Sequence, residues 1–410
     1  MPNKSAATPR RPKSPARHAR KPESHRVARG IALTMTALLA LGATGGATAY
    51  SRLQGNIQAV DVTALLPSAR PTVPPPADPS AGKPLNILLM GSDNRAGANA
   101  KIAGEVAGMR SDTTIVLHLS ANRTRVELVS IPRDTLVKIP VCLRSDGSKS
   151  TPRTGMFNSA FAIGASAGKV SDAAACAMNT VETNTHVFLN GYVVIDMTGF
   201  TRMIDALGGV PICIQNDMDS PAAGLHVKAG AQTLNGTTAL AFARARKGKG
   251  LGDGSDTGRI VRQQQLLAAT VRMVQSKNLL TDGPALLKFL SAATSSITAN
   301  PELASISHLT GLAYSLRGTG TVTFMTIPFG PAPSDPNRVV MTPAADAVWA
   351  NLIADKPISP AKPAAPAVPA GTATAPGSTT PTSPTTPTPT APVVTAPVVT
   401  GGATASVVCG

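Results

Sequence analysis

The strongest constraint on the fold is an uncharged segment near the start of this 410-residue chain. Ile31–Tyr50 contains no charged side chain, and about twenty helical residues match the thickness of a bilayer's hydrocarbon core. Residues 1–29 carry nine lysines and arginines against one glutamate, a typical cytoplasmic flank of a membrane span. We therefore predict a basic cytoplasmic segment (1–30), a single transmembrane anchor (31–50), and an extracytoplasmic location for everything that follows.

A cleaved secretory signal is the alternative interpretation of this segment. Four threonines and three glycines make the span less apolar, and Ala47-Thr48-Ala49 resembles a signal-peptidase site. Length and flanking charge favour the uncleaved anchor. Both interpretations export the chain after residue 50.

The net charge of +16 does not indicate a nucleic-acid-binding protein. The segment 1–29 supplies +8 (nine cations less one anion), so the remaining residues supply the other +8. Aromatic residues make up only 3% of the chain, with one tryptophan, whereas single-stranded nucleic acids are bound largely by stacking on aromatic rings. We expect membrane lipid, not nucleic acid, as the partner of the basic segment.

Composition also delimits the part of the chain that can bury a core. Residues 51–84 include seven prolines between Leu66 and Leu85 and predict a semi-rigid stalk. Residues 356–410 contain twelve prolines and no acidic residue, which predicts a disordered tail. One globular domain is therefore expected over residues 85–355.

The pattern of this domain alternates between strands and helices. Short β-branched or apolar runs predict six strands: Leu85–Met90, Thr113–Leu119, Val126–Ile131, Tyr192–Asp196, Val210–Ile214 and Thr321–Ile327. Helical periodicity predicts eight helices: 156–167, 171–183, 198–207, 236–246, 257–276, 284–297, 302–316 and 342–354. This interleaving indicates an α/β fold with helices covering the sheet.

Export also bears on the four cysteines, because an oxidising compartment permits disulfide bonds. Cys142, Cys176 and Cys213 lie in the domain and Cys409 lies in the tail, which leaves three possible connectivities. We expect the pair Cys176–Cys213, since each lies beside a predicted element. Their spacing is not that of a zinc site.

Three polar clusters that we predict to follow strands each combine arginine with aspartate. They are Gly91-Ser92-Asp93-Asn94-Arg95, Arg110-Ser111-Asp112-Thr113 and Pro132-Arg133-Asp134-Thr135. One such cluster is typical of a surface ion pair or an Asx-turn. Three of them favour a shared crevice at the strand ends, where carboxylates suit a hard cation and guanidiniums suit phosphate oxygens.

A second basic concentration occupies residues 244–247 and 259–265. Arg259 and Gln263 are four residues apart, so on a helix they share one face, with Arg262 beside them. Ile260, Leu267, Val271 and Val274 form a separate apolar stripe, which predicts that the Arg/Gln face is free for a ligand. A solvated basic face is the alternative, and Asp256 is a candidate cap of this helix.

In order and spacing, these pieces resemble the LytR-CpsA-Psr family from about Leu85 to Ala354. The matching pieces are Leu88–Arg95, Arg110–Thr113, Ser130–Thr135, Phe157–Phe161, Val194–Phe200, Ile204–Val210, Leu234–Gly236, Ala239–Arg246 and Asp256–Gln264.

The resemblance implies an α-β-α sandwich with a central mixed sheet that binds a polyprenyl lipid in an apolar pocket. It implies transfer of a glycopolymer phosphate from polyprenyl pyrophosphate to a peptidoglycan hydroxyl. By motif position, Asp93 and Asp112 would bind Mg²⁺ (or Mn²⁺). Either Asp134 or one of the metal-linked aspartates would accept the hydroxyl proton. The pyrophosphate would be held by Arg133, Arg244, Arg246, Arg259 and Gln263, with Arg95, Arg110 and Arg262 as further candidates.

The chain departs from the family pattern at Met156, where many relatives have lysine, and at Ser255, where glycine is common. Three other functions remain open: a polyprenyl-pyrophosphate phosphohydrolase, a regulator or nucleic-acid binder, and a non-catalytic envelope protein. The predicted topology opposes the nucleic-acid binder, because it places the arginine clusters outside the cytoplasm. The Asp and Arg pattern opposes the non-catalytic protein.

Overall fold

The computed structural model describes residues 26–73, 82–93, 109–252, 256–276, 283–315, 321–358 and 399–401, together with Cys409. It divides into two units, residues 1–49 and 50–410. The helices are α1 (Arg26–Asn56), α2 (Phe157–Gly164), α3 (Val170–Thr185), α4 (Met197–Ala206), α5 (Gly236–Arg244), α6 (Asp256–Ser276), α7 (Gly283–Thr294), α8 (Ile306–Ser315) and α9 (Pro343–Ile353).

Sixteen strands occur in the described residues. They are β1 (Gln58–Ala59), β2 (Leu85–Ser92), β3 (Ser111–Leu119), β4 (Arg125–Ser130), β5 (Leu136–Ile139), β6 (Arg153–Met156), β7 (Gly191–Asp196), β8 (Val210–Ile214), β9 (Met218–Ser220), β10 (Leu225–Val227), β11 (Gly230–Leu234), β12 (Ile297–Ala299), β13 (Thr321–Thr326), β14 (Phe329–Ala332), β15 (Asp335–Met341) and β16 (Val399–Gly401). All six predicted strands and all eight predicted helices are confirmed, with shifts at their ends.

The apolar segment lies in one continuous helix, α1. The helix Val27–Asn56 is long and apolar enough to cross a membrane, and an 18-residue window within it has a mean hydropathy of 1.5. The threonines that weaken the span satisfy their hydroxyls internally: Thr34 donates to the Gly30 carbonyl at 2.7 Å, and Thr44 to the Ala40 carbonyl at 2.7 Å. Such bonds lower the cost of a hydroxyl in an apolar medium. The helix suits a signal anchor or a signal sequence.

The centre of the domain is a mixed sheet of eight strands in the order β1-β12-β7-β2-β3-β4-β13-β16. The pairs β2–β7 and β4–β13 are parallel, whereas β3 is antiparallel to both β2 and β4. One predicted strand, β8, does not belong to this sheet and instead pairs with β11 in a small antiparallel sheet.

Helices cover both faces of the sheet, as expected for an α-β-α sandwich. On one face, α2, α3 and α9 bury Phe157, Phe161 and Trp349 against the sheet. Alanines of α3, such as Ala173 and Ala174, are fully buried and allow this helix to pack closely. On the other face, α6 packs through Ala268, and the helices α4, α5 and α6 share a further core with β8, β10 and β11.

Part of the predicted stalk packs on the domain. Val62 and Leu66 are buried in its core, and the Val60 carbonyl accepts a 2.9 Å hydrogen bond from the Tyr192 hydroxyl. Arg70 donates to the buried Glu182 carboxylate at 3.0 Å. Residues 74–81, with four of the seven prolines, lie outside the described residues.

The predicted disulfide Cys176–Cys213 is wrong. The structure pairs Cys142 with Cys176 and Cys213 with Cys409. Cys142 and Cys176 are both buried in the core, where the segment after β5 meets α3. The second bond and the pairing of β16 with β13 tie described parts of the C-terminal region to the domain; most of the predicted tail lies outside the described residues.

Candidate active site

The topology brings the three predicted Asp/Arg clusters to one edge of the central sheet. Asp93 follows the end of β2, Asp112 lies at the start of β3, and Arg133 follows the end of β4. Since β3 runs antiparallel to its two neighbours, these positions are adjacent. The second cluster thus begins a strand instead of following one, and the Asp93 amide donates to the Arg110 carbonyl at 2.7 Å.

Helix α6 completes an ion-pair cluster at this edge. The Arg133 guanidinium lies 2.8 Å from the Asp112 carboxylate, and Arg259 donates to the Asp112 carbonyl at 3.2 Å. Arg259 also pairs with Asp256, one turn earlier on α6, at 2.7 Å. A 3.5 Å contact between Arg133 and Asp256 closes the cluster. The two arginines are therefore held in place by both carboxylates.

Burial and charge act differently on the two carboxylates. Burial opposes ionisation of Asp112, but the Arg259 and Arg133 guanidiniums outweigh it and hold the Asp112 pKa below its usual value. At Asp256, burial dominates and raises the pKa, although Arg259 and Arg133 partly offset it. Asp112 therefore stays ionised at neutral pH and supplies a fixed negative charge within the cluster.

A second part of the site is the end of α5, where the chain turns out of the helix at Ala245. The buried Arg262 of α6 donates to the Ala245 carbonyl, and Gln263 donates to the Ala243 carbonyl at 3.2 Å. These bonds fix the backbone on both sides of Arg244. Arg262 therefore acts on this segment from inside the domain, and the prediction that the whole Arg/Gln face is free for a ligand is wrong.

A cavity of about 280 Å³ leads from this cluster into the domain. Asp93, Asp112, Arg244, Arg259 and Gln263 lie at its polar part. The rest of its wall is largely apolar, built by the sheet and by helices α4 to α7, and includes Leu89, Ile115, Ile195, Phe200, Met203, Leu207, Leu266, Leu267 and Phe289. The arrangement suits a ligand with an anionic head and a hydrocarbon tail.

Other predicted site residues take different positions. Arg95 lies outside the described residues, and Arg110 is exposed. Arg246 is half-buried just after α5, and its charge offsets a small part of the burial-driven rise in the Asp256 pKa. The Asp134 carboxylate lies 3.6 Å from the Arg133 guanidinium. Neither Asp134 nor Arg246 lines the cavity.

Sequence reasoning missed several residues of the site. Asp256 was predicted only as a helix cap, yet its carboxylate pairs with Arg259. Arg338, on β15, approaches Asp134 at 3.8 Å. Asp196 lines the cavity and caps α4 by accepting a 2.6 Å bond from the Gly199 amide. Asp196 is the last residue of β7, close to the strand-end positions of Asp93 and Arg133, and that position is the signal that would have found it.

The donor set for a metal ion is small. Among the described residues, no group of three or more His, Cys, Asp or Glu side chains is placed to hold one. Asp93 and Asp112 both line the cavity. Two carboxylates nevertheless fit Mg²⁺, which usually binds through one or two carboxylates, water and substrate phosphates.

Fold and site together define an α/β protein with an apolar cavity that ends in an arginine- and aspartate-rich mouth. The profile described as the LytR_cpsA_psr family matches residues 49–352. The chain belongs to the LytR-CpsA-Psr family, as its motif order predicted.

Among curated relatives, the cell wall biosynthesis protein LcpA of Corynebacterium glutamicum is 31% identical over 261 residues, covering 59% of this chain and 49% of the relative. The polyisoprenyl-teichoic acid–peptidoglycan teichoic acid transferase TagU of Bacillus mycoides (strain KBAB4) is 35% identical over 193 residues, covering 47% of this chain and 53% of the relative. This chain thus spans about half the length of these relatives.

A solved structure, the LytR-Csp2A-Psr enzyme from Actinomyces oris, aligns with a TM-score of 0.51 at 21% identity. The alignment covers 72% of this chain and 95% of that one. At this identity the likeness shows the fold, and the fold agrees with the predicted sandwich.

Proposed function

We propose that the chain is a membrane-anchored phosphotransferase that moves a glycopolymer from a polyprenyl-pyrophosphate carrier onto a peptidoglycan hydroxyl outside the cytoplasm. The observation that carries this proposal is the apolar cavity of about 280 Å³ with Arg244, Arg259 and Asp112 at its mouth. The name of the related TagU, a transferase from a polyisoprenyl carrier to peptidoglycan, supports the same chemistry.

In this proposal the arginines hold the pyrophosphate while the hydrocarbon lies in the cavity. Arg259, Arg244 and Gln263 line the cavity and would contact the pyrophosphate directly. Arg133 does not line the cavity but pairs with Asp112, which does. Guanidinium groups bind phosphate oxygens through paired hydrogen bonds, so a fixed fork gives both charge neutralisation and orientation. Phosphoryl transfer depends mainly on these two effects.

The reaction is a displacement at the phosphorus atom that carries the glycopolymer. The acceptor oxygen forms a bond to that phosphorus, the bond to the bridging oxygen breaks, and polyprenyl phosphate leaves with the electron pair. We assign the acceptor's proton to the Asp134 carboxylate, beside Arg133 at the mouth. The product is a phosphodiester between glycopolymer and peptidoglycan.

Asp93 and Asp112 would hold Mg²⁺ (or Mn²⁺) against the pyrophosphate. The ion would add charge neutralisation at the phosphate oxygens. Because Arg133 already contacts Asp112 at 2.8 Å, this chain's own contribution is to keep that carboxylate ionised and fixed.

The proposed location follows from α1 and the disulfides. A basic flank before an apolar helix orients the domain outward, and the two disulfides suit an oxidising compartment. Peptidoglycan and a lipid-linked glycopolymer are both reached from that side of the membrane.

The test uses full-length protein in detergent with a synthetic polyprenyl-pyrophosphate sugar and peptidoglycan fragments. We expect sugar to become covalently attached to peptidoglycan, and chelation of divalent cations to stop the reaction reversibly. Asp112→Asn should lower turnover by about 10²–10³-fold, in line with loss of a fixed electrostatic group. Lys138→Gln, at an exposed position of β5, is the control.

Polyprenyl phosphate released equally fast without peptidoglycan would instead support the phosphohydrolase, since water would then be the acceptor. Absence of turnover with several lipid-linked sugars would favour a non-catalytic envelope protein. Both results would contradict the proposed transfer.

A further inference from the structure

The charged cluster has two sides with respect to the cavity. Asp112, Arg244 and Arg259 line the cavity, whereas Asp134 and Arg338 do not. A displacement at phosphorus places the incoming and leaving oxygens on opposite sides. If the carrier lies in the cavity, the acceptor arrives from outside it, and Asp134 and Arg338 are charged residues of the cluster that lie outside the cavity lining.

The hairpin β14–β15 builds this outer side. A bridge between Thr135 and Val339 joins β15 to the loop after β4, and the Val339 amide approaches the Asp134 carbonyl at 3.4 Å. These backbone contacts place Arg338 directly beside Asp134. The position of Arg338 is therefore set by the fold and not by a flexible loop.

The Arg338 guanidinium retains capacity for a ligand. Its contacts with Asp134 at 3.8 Å and with Asp335 at 3.6 Å exceed ordinary hydrogen-bond lengths. Its side chain is 32% exposed, so an external group can reach it. A partly exposed arginine without short ion pairs offers a planar set of N–H donors that matches a carboxylate.

We propose that Arg338 is an acceptor-specificity residue that binds a carboxylate of the incoming glycan strand and so places the strand's hydroxyl near Asp134. The inference rests on the proposed function, because it assigns the acceptor side of the same site. The ligand class is a carboxylate-bearing glycan. Asp335 would be the internal competitor for the same guanidinium.

The test measures binding of soluble peptidoglycan fragments to full-length protein in detergent. One sample has free carboxylates, and the other has the same carboxylates converted to amides. Arg338→Gln should weaken binding of the free-carboxylate fragment about tenfold or more, as expected for a hydrogen bond to a charged group. The amidated fragment should bind both proteins equally weakly, and donor-lipid affinity should not change.

Two further variants sharpen the test. Arg153→Gln removes the same charge from an exposed position on β6 and should leave acceptor binding unchanged. Asp335→Asn should strengthen binding of the free-carboxylate fragment, because it removes the competing anion.

An Arg338→Gln protein that binds both fragments as the wild type does would overturn the assignment. Equal weakening for both fragments would also overturn it, and would indicate an effect through Asp134.

Transfer is measured separately from binding, with the lipid-linked donor present. Wild-type protein that binds the free-carboxylate fragment through Arg338 but forms no phosphodiester would contradict the proposed function and leave the binding assignment intact. Wild-type transfer that is insensitive to both amidation and Arg338→Gln would contradict the assignment alone.

Discussion

The two ends of the central sheet both hold buried charged side chains, but these charges are neutralised in different ways. At the candidate site, Arg133 and Arg259 pair with the carboxylates of Asp112 and Asp256. Arg244 and Arg259 also line the cavity. At the opposite end, a far-end network consists of Asn86, His118, Arg125, Glu127 and Asp355.

The far-end network is held together by hydrogen bonds and ion pairs among its own residues. His118 is fully buried between Asn86, at 2.7 Å, and Asp355, at 3.1 Å. Arg125 donates to the Asp355 carbonyl and carboxylate at 2.6 and 2.9 Å, and the Ile358 amide donates to Glu127 at 3.0 Å. The far-end network thus joins the start of β4 to the residues that follow α9. Because these contacts tie separate parts of the chain together, we assign the network a structural role.

The candidate site differs because its cations are directed at a cavity as well as at carboxylates. Arg244 and Arg259 both line the cavity, so an anion bound there would complete their neutralisation. The two ends therefore differ in what their arginines meet: Arg244 and Arg259 border a cavity, whereas Arg125 contacts carboxylates of the chain itself.

The largest expected effect distinguishes the two ends directly. Arg259→Ala should lower turnover about 10²–10³-fold, because in the proposed function Arg259 donates to the pyrophosphate. It should also destabilise the fold by about 3–5 kcal/mol, since it leaves Asp256 buried without its 2.7 Å partner. Turnover per folded molecule and urea unfolding measure the two effects.

Arg125→Ala is the matched change in the far-end network. It should lower the free energy of unfolding by about 1–3 kcal/mol, because it removes donors to Asp355. Turnover per folded molecule should stay at the wild-type value. A large loss of turnover in this variant would break the distinction between a structural end and a catalytic end.

An intermediate effect is expected at Arg262, which is buried like the far-end residues but belongs to the site. Arg262→Gln should lower turnover about tenfold, mainly through weaker donor binding, because the Ala245 carbonyl would lose its partner and Arg244 and Arg246 would shift. Steady-state kinetics at varied donor concentration measure the change in donor KM separately from the change in kcat.

Gln264 on the same helix supplies the control. Its side-chain amide donates hydrogen bonds to the buried hydroxyls of Ser130 and Thr326, each at 3.1 Å. Gln264→Ala should reduce stability with little change in donor KM. Equal changes in donor KM for the two variants would show that general loosening of α6, and not Arg262, accounts for the result.

Much of this site follows from local sequence patterns. The strand ends at Asp93 and Arg133 are predictable, because short apolar runs stop at polar clusters and strand ends gather at sheet edges. Family motifs add the order of the pieces, which fixes α5 and α6 as the source of Arg244 and Arg259.

The orientation of α6 was not predictable from its periodicity. A stripe argument assumes that one face of a helix meets solvent, but α6 is covered both by the sheet, through Ala268, and by the core of α5 and β8, through Leu266 and Ala269. Arg259 and Arg262 are therefore buried. The short strands β1 and β12 and the pairing of Cys213 with Cys409 depend on long-range contacts that leave no local pattern.

The smallest expected effect concerns the far-end network and its dependence on pH. Burial raises the Glu127 pKa above its usual value, although the bond from the Ile358 amide partly offsets this. A group whose folded pKa is raised binds its proton more tightly in the folded protein. Its stabilising contribution is therefore complete below the unfolded pKa and is lost as the pH rises through the folded pKa.

Glu127→Gln should remove this dependence. As the pH rises above about 4.3, the usual value for glutamate, the unfolding free energy of the wild type should fall relative to that of the variant, by at most about 1.4 kcal/mol per pH unit within the titration range. Urea unfolding of both proteins across this range measures the difference, and turnover per folded molecule should be the same in both. If turnover fell with Glu127→Gln while stability did not, the far-end network would be coupled to the site, and the separation between the two ends of the sheet would be wrong.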